Sequence, residues 1–143
     1  MLFLEKEISY KMKKENIFLI IGACLSAITV MIGAFGAHAL HNLLTENNRV
    51  ETFKIAVDYQ FYHTIGILLI GFIYKNNMHQ LIKWAGFLLM IGILFFSGSL
   101  YILSISNQKM WGAVAPIGGL SFILGWILLA IGVYKEGRKE GKK

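Results

Sequence analysis

The sequence predicts an all-α protein: an antiparallel bundle of four transmembrane helices with left-handed packing and both termini in the cytoplasm. Three observations predict it. Of 143 residues, 56% are hydrophobic and 15% charged, where soluble domains carry about 45–50% and about 25%. The charges are confined to the chain ends and to short stretches between long apolar runs. Fifteen glycines against one proline suit long helices that approach backbone to backbone. The length allows one domain. A net charge of +6 placed in this way argues against nucleic acid as a partner. Cys24, the single cysteine, lies in an apolar run and forms no intrachain disulfide.

Residues 1–16 read as a basic cytoplasmic segment carrying Lys6, Lys11, Lys13 and Lys14. Its first eleven residues look appended to a start at Met12. The membrane domain follows over 17–134. A helix needs about 20 apolar residues to cross a hydrocarbon core about 30 Å thick, and 17–40 contains no charged residue. A basic start, an apolar run and Ala37-His38-Ala39 imitate a cleavable export signal, but this run exceeds the roughly 7–15 residues of a signal core. The second span, 55–75, is uncharged only from Tyr59 to Tyr74. It reaches spanning length if the helix begins near Phe53, with Lys54 and Asp58 among the headgroups. The third, 82–105, is built on the uncharged run Trp84–Gln108, which holds twelve Leu, Ile and Phe residues, worth about 6 kcal/mol of insertion at about 0.5 kcal/mol each. The fourth is 112–134, and a basic tail occupies 135–143. Alternation then gathers eleven Lys and Arg on the side of the termini. Three, Arg49, Lys54 and Lys109, fall on the other side. The positive-inside rule makes the termini cytoplasmic.

Small residues supply the packing that lipid cannot drive. In the first span Gly22, Ser26, Thr29, Gly33 and Gly36 recur at gaps of four and three, a heptad seam that Leu40 continues. Gly118, Gly119, Ser121, Gly125 and Gly132 repeat the device in the fourth. A period of 3.5 residues predicts left-handed packing.

Depth arithmetic at 1.5 Å per residue gathers polar groups near the outer surface. His38 falls about 3 Å below the end of the first span, and Tyr59, Gln60 and His63 within about 8 Å of the same surface. Ser97, Ser99 and Tyr101 fall about 5–10 Å deep in the third span. The ordinary readings are an aromatic belt for Tyr59, Tyr62, Tyr101 and Trp111, and own-helix hydrogen bonds for the serines. A histidine inside a span more often faces the bundle interior. His38 is therefore expected to face inward, bonded to Tyr59, Gln60 or His63. His38 and His41, three residues apart near His63 and Asp58, suggest a metal, but no Cys, Glu or second Asp completes the set. Neither a carboxylate pair, a Cys–His pair nor a phosphate-binding loop occurs. No metal and no cofactor is expected.

The stretches "GAFGAHAL", "YQFYH", "FFSGSLYIL" and "APIGGLSFILGW", in this order, resemble the small multi-pass bacterial membrane proteins of domain of unknown function 423, also called uncharacterised protein family 0382. The resemblance covers about 17–134. It implies a multi-pass membrane protein and no particular activity. Carried over, the motif positions are Gly33, Ala34, Phe35, Gly36, Ala37 and His38. In the second and third spans they are Tyr59, Gln60, His63, Ser97, Gly98, Ser99 and Tyr101, and in the fourth Pro116, Gly118, Gly119 and Trp126. The usual Thr before the proline is Ala115 here, and His41 lies outside the motif.

Three functions remain open. One is a non-enzymatic protein that supports the envelope or a larger complex, with the bilayer, a homo-oligomer or another membrane protein as partner. A second is a binder of lipid, quinone or haem in the outer polar layer. A third is an oligomeric small-molecule transporter, although a four-span cation exporter needs a carboxylate in its first span and 17–40 has none.

Overall fold

The computed structural model describes residues 17–76 and 79–140. The basic segment 1–16 and the last three residues lie outside the described residues. Every element within them is helical: α1 (Ile17–Ala37), a short α2 (His41–Glu46), α3 (Val50–Asn76), α4 (Gln80–Gly92), α5 (Gly98–Ser106) and α6 (Ala115–Glu140). A π-helical turn, Ile93–Ser97, joins α4 to α5, and a 3-10 turn, Lys109–Ala113, precedes α6. Four stretches are long and apolar enough to cross a membrane: Ile17–Ala37, Val50–Tyr74, Gln80–Ser106 and Lys109–Arg138.

The first helix stops at Ala37, short of the expected Leu40. The Leu40 amide closes on the Phe35 carbonyl at 3.0 Å, five residues back, which ends the regular ladder. Gly33 and Gly36 in the preceding turns weaken its continuation. The chain then turns into α2, an element the sequence does not predict. At the far end of α3, His79 starts α4 with extended backbone, its Nδ1 accepting from the Leu81 amide at 3.1 Å.

Glycines set the helix contacts. Along α6, Gly118, Gly125 and Gly132 stand seven residues apart and meet Phe96, Leu89 and Ile82, which are also seven apart. A Cβ on Gly118 would lie 2.8 Å from the Phe96 Cα, so only glycine lets the main chain of the π turn approach. Between α1 and α3, Gly22 faces Leu68, Gly36 faces the Phe53 ring and Gly71 faces Leu19. The expected seam is thus corrected in part. Gly33 has only Val57 Cγ1 at 3.4 Å, and around Gly119 nothing is nearer than 3.9 Å, so neither is a close-approach position. Gly22, Thr29 and Gly36 are buried at seven-residue spacing, while Ser26 and Gly33 fall on the flank of that line.

The main core joins α3, α4 and α6 through Ile67, Ile70, Ile82, Leu89, Phe122 and Leu129, with Phe18 of α1 wedged against Tyr74 at 5.8 Å and Phe87 at 5.7 Å. A second core, nearer the α2 end, holds Ala56, Leu100, Leu103 and Ala115. Outside these cores large apolar side chains stand free, Val30 at 66% and Leu94 at 68% exposure. That surface suits hydrocarbon rather than water. The connections at one end are tied together. Asn47 Nδ2 donates to the Ser104 and Ile105 carbonyls at 3.0 and 3.1 Å, and Arg49 Nε donates to Asn107 Oδ1 at 3.1 Å. Asn48 and Asn107 take left-handed backbone, φ 56° and 53°, a conformation asparagine tolerates better than most residues.

Candidate functional site

Gln60 is the centre of the polar layer. It is 3% exposed, on the buried face of α3. Its Nε2 donates to Thr29 Oγ1 of α1 at 2.8 Å, and its Oε1 accepts from the Tyr101 hydroxyl of α5 at 2.9 Å. Thr29 passes its own proton to the Leu25 carbonyl at 2.7 Å. One amide therefore bridges three helices, and both of its ends are bonded. Burial of such an amide without partners costs about 2–7 kcal/mol, so the chain of bonds is what makes Gln60 tolerable there. The Tyr101 ring also packs on Phe53, centroids 5.1 Å apart.

One turn along α3, His63 is 7% exposed and lies flat on Phe122 of α6, ring centroids 3.3 Å apart and planes 11° from parallel. Its Nδ1 is 2.6 Å from the Tyr59 carbonyl. A carbonyl only accepts, so Nδ1 carries the proton and Nε2 of the neutral ring is a lone-pair acceptor. Nε2 has no partner among the described residues, and it is not one of the fully enclosed unpartnered atoms there. Those atoms are Ser26 Oγ, Thr64 Oγ1 and Ser97 Oγ. Tyr59 stacks on Phe96 at 4.6 Å, and Trp126 stands 6.3 Å from His63. The π turn beneath Phe96, closed by the Gly98 amide on the Ile93 carbonyl, inserts one residue into the third span.

The expectation for His38 is corrected. It lies in the turn after α1, is exposed, and its side chain bonds to none of Tyr59, Gln60 or His63. The reason is the register of α1 against α3: Gly22 meets Leu68, Thr29 meets Gln60 and Gly36 meets Phe53, so His38, beyond Gly36, is level with the start of α3 and not with Tyr59, Gln60 or His63. Tyr59, at 40% exposure, contributes its carbonyl and ring rather than its hydroxyl. Ser99 donates to the Phe96 carbonyl at 3.0 Å, an own-helix bond, while Ser97 is fully buried without a partner. Gln60, His63 and Tyr101 are therefore brought together with Thr29, a residue the sequence offered only as a packing position. Thr64 and Phe122 were missed. Their signal was available, because Thr64 adjoins His63 and Phe122 lies four residues from Gly118 on α6. Among the described residues no three His, Cys, Asp or Glu side chains gather at metal-binding distance.

Comparison with known proteins agrees with this architecture. The family described as "Protein of unknown function (DUF423)" matches residues 32–119. A UPF0382 membrane protein of Staphylococcus haemolyticus is 44% identical over 120 residues, 84% of this chain and 97% of the relative. The UPF0382 membrane protein YwdK of Bacillus subtilis is 36% identical over 84% of this chain and 98% of its own. The UPF0382 inner membrane protein YgdD of Escherichia coli is 36% identical over 85% and 93%. No solved structure matches. With four helices fit to span a bilayer and relatives named for the membrane they occupy, this chain is a multi-pass membrane protein and belongs to the DUF423 family.

Proposed function

We propose that the protein is a non-enzymatic structural bundle of the cell membrane that supports the envelope or a larger membrane complex. The observation that carries this reading is the Gln60 bridge. The buried side chain at the centre of the layer uses both ends of its amide to tie α1, α3 and α5 together. A group bonded at each end to a neighbouring helix holds those helices in place. In this reading neighbouring spans run in opposite directions. The α4–α6 contacts support it, since Gly118, Gly125 and Gly132 meet Phe96, Leu89 and Ile82, rising along one helix as they fall along the other. The seven-residue spacing of those contacts supports left-handed packing, and the basic excess at the chain ends supports cytoplasmic termini. The exposed face of α1 is where a second copy or another membrane protein would sit.

The test is a deletion strain of a host carrying this protein, challenged with osmotic downshift and detergent. Increased sensitivity is expected, restored by the wild-type chain and restored poorly by Gln60→Met. A deletion strain as resistant as its parent overturns the proposal. A second reading, the binding of a lipid, quinone or haem, rests on His63, whose Nε2 is an unpartnered acceptor in an aromatic surround. Under that reading His63→Phe keeps the stack on Phe122 and the wild-type melting temperature yet fails to complement. Under the structural reading it complements.

A further inference from the structure

A groove of about 390 Å³ opens at the α2 end of the bundle, between the last turns of α1 and the first turns of α3. That volume lies at the small end of ligand-binding cavities, about 300–1,000 Å³. Gly33, Gly36 and Ala37 form one wall, with no side chain larger than a methyl group. Phe53 and Val57 form the other, and Leu44 of α2 closes the end. From Val50 to Val57 the α3 wall runs about 10 Å along the helix, so the groove reaches from the interface into the hydrocarbon. Its lining is apolar apart from His41 and Lys54. Lys54 is exposed and has no ion-pair or hydrogen-bond partner among the described residues. Glu51 and Asp58, on the same helix, do not line the groove. The molecule thus presents a trough for an aliphatic chain with a single unpaired cation on its wall, long enough to lift its charge to the headgroups.

We propose that this groove binds one acyl chain of an anionic phospholipid, whose phosphate pairs with Lys54. The complementarity is of shape and of charge together. A zwitterionic lipid fills the same trough, but its phosphate carries its own cation and competes less well for the lysine. This inference uses neither the Gln60 bridge nor His63 and stands apart from both readings above.

Native mass spectrometry of the detergent-purified full chain tests it, with equimolar palmitoyl-oleoyl phosphatidylglycerol and phosphatidylcholine as probes. Wild type is expected to retain phosphatidylglycerol preferentially. Lys54→Gln should lower the ratio of the two adducts about five-fold, the worth of one basic residue at a membrane surface. Lys109→Gln, which removes an exposed cation outside the groove, should leave the ratio unchanged. Gly33→Leu and Ala37→Leu should fill the trough and reduce both adducts at an unchanged melting temperature. If either filling variant lowers the melting temperature, the other decides. An unchanged ratio in Lys54→Gln, an equal fall in Lys109→Gln, or full retention of both lipids in the folded filling variants overturns the proposal. So does a wild-type dimer that the filling variants dissociate without loss of lipid, which would make the groove an interface between copies.

Discussion

Removing the Gln60 bridge tests the central packing argument, and a double-mutant cycle with Tyr101 isolates its energy. Gln60→Met keeps an unbranched side chain of similar length and deletes both bonds, at 2.8 and 2.9 Å. Tyr101→Phe deletes one and preserves the ring contact with Phe53. An interhelical hydrogen bond in a membrane protein contributes about 0.6 kcal/mol on average and about 1.7 kcal/mol at most, and a buried group left without its partner adds about 1–3 kcal/mol. Tyr101→Phe, which leaves Oε1 of a 3%-exposed amide empty, should therefore lose about 1–2 kcal/mol. Gln60→Met loses two bonds and strands the Tyr101 hydroxyl, for about 2–4 kcal/mol. Thr29 is spared, since its proton still goes to the Leu25 carbonyl. Once Gln60 is gone, Tyr101→Phe removes only a stranded hydroxyl. The double variant should then be more stable than the sum of the singles implies, by about 1–3 kcal/mol. Equilibrium unfolding in mixed micelles titrated with dodecyl sulfate measures the four free energies. Additivity within about 0.5 kcal/mol refutes the bridge.

Gly118→Ala should lose about 1–3 kcal/mol through overpacking on the Phe96 main chain, while Gly119→Ala and Ala130→Leu, at open positions, stay near wild type; thermal melting in detergent that lowers all three equally counts against the glycine argument. Asn47→Ala should lose about 1–2 kcal/mol with its two carbonyl contacts. His38→Leu should stay within about 0.5 kcal/mol, as an exposed side chain without a partner; the reverse order in the same melting assay would restore an inward His38. In a Cys24→Ala background, a membrane-impermeant maleimide should modify Glu46→Cys and Gln108→Cys in intact cells and spare Gln80→Cys and Lys135→Cys, and labelling of the last two would overturn the orientation. Asn47 and Asn107 are poor labelling sites because both hold the connections together.

What the sequence by itself determined was everything that depends on local composition. Runs of apolar residues as long as a bilayer is thick must become helices, since only a helix pairs all its own backbone groups in hydrocarbon. Seven-residue spacing of glycines on 112–134 likewise announced which face of α6 meets a neighbour. Tertiary structure alone decided the composition of the polar layer. Gln60 and Tyr101 were legible as polar residues at similar depth, but that Thr29 rather than His38 completes their set depends on how α1 is set against α3, which starts at Val50, ahead of the expected span. Helix ends and registers are settled by turn bonds and side-chain contacts, such as Leu40 on Phe35 and Gly36 on Phe53, which leave little trace in composition. The π turn escaped notice for a related reason: one inserted residue shifts the buried face of the third span without altering its hydrophobicity. The groove beside Gly33 needed the fold as well. A glycine pressed on a neighbouring main chain and a glycine that lines a hollow read alike in a sequence, and only the path of the facing helix separates Gly118 against Phe96 from Gly33 on the wall of the groove.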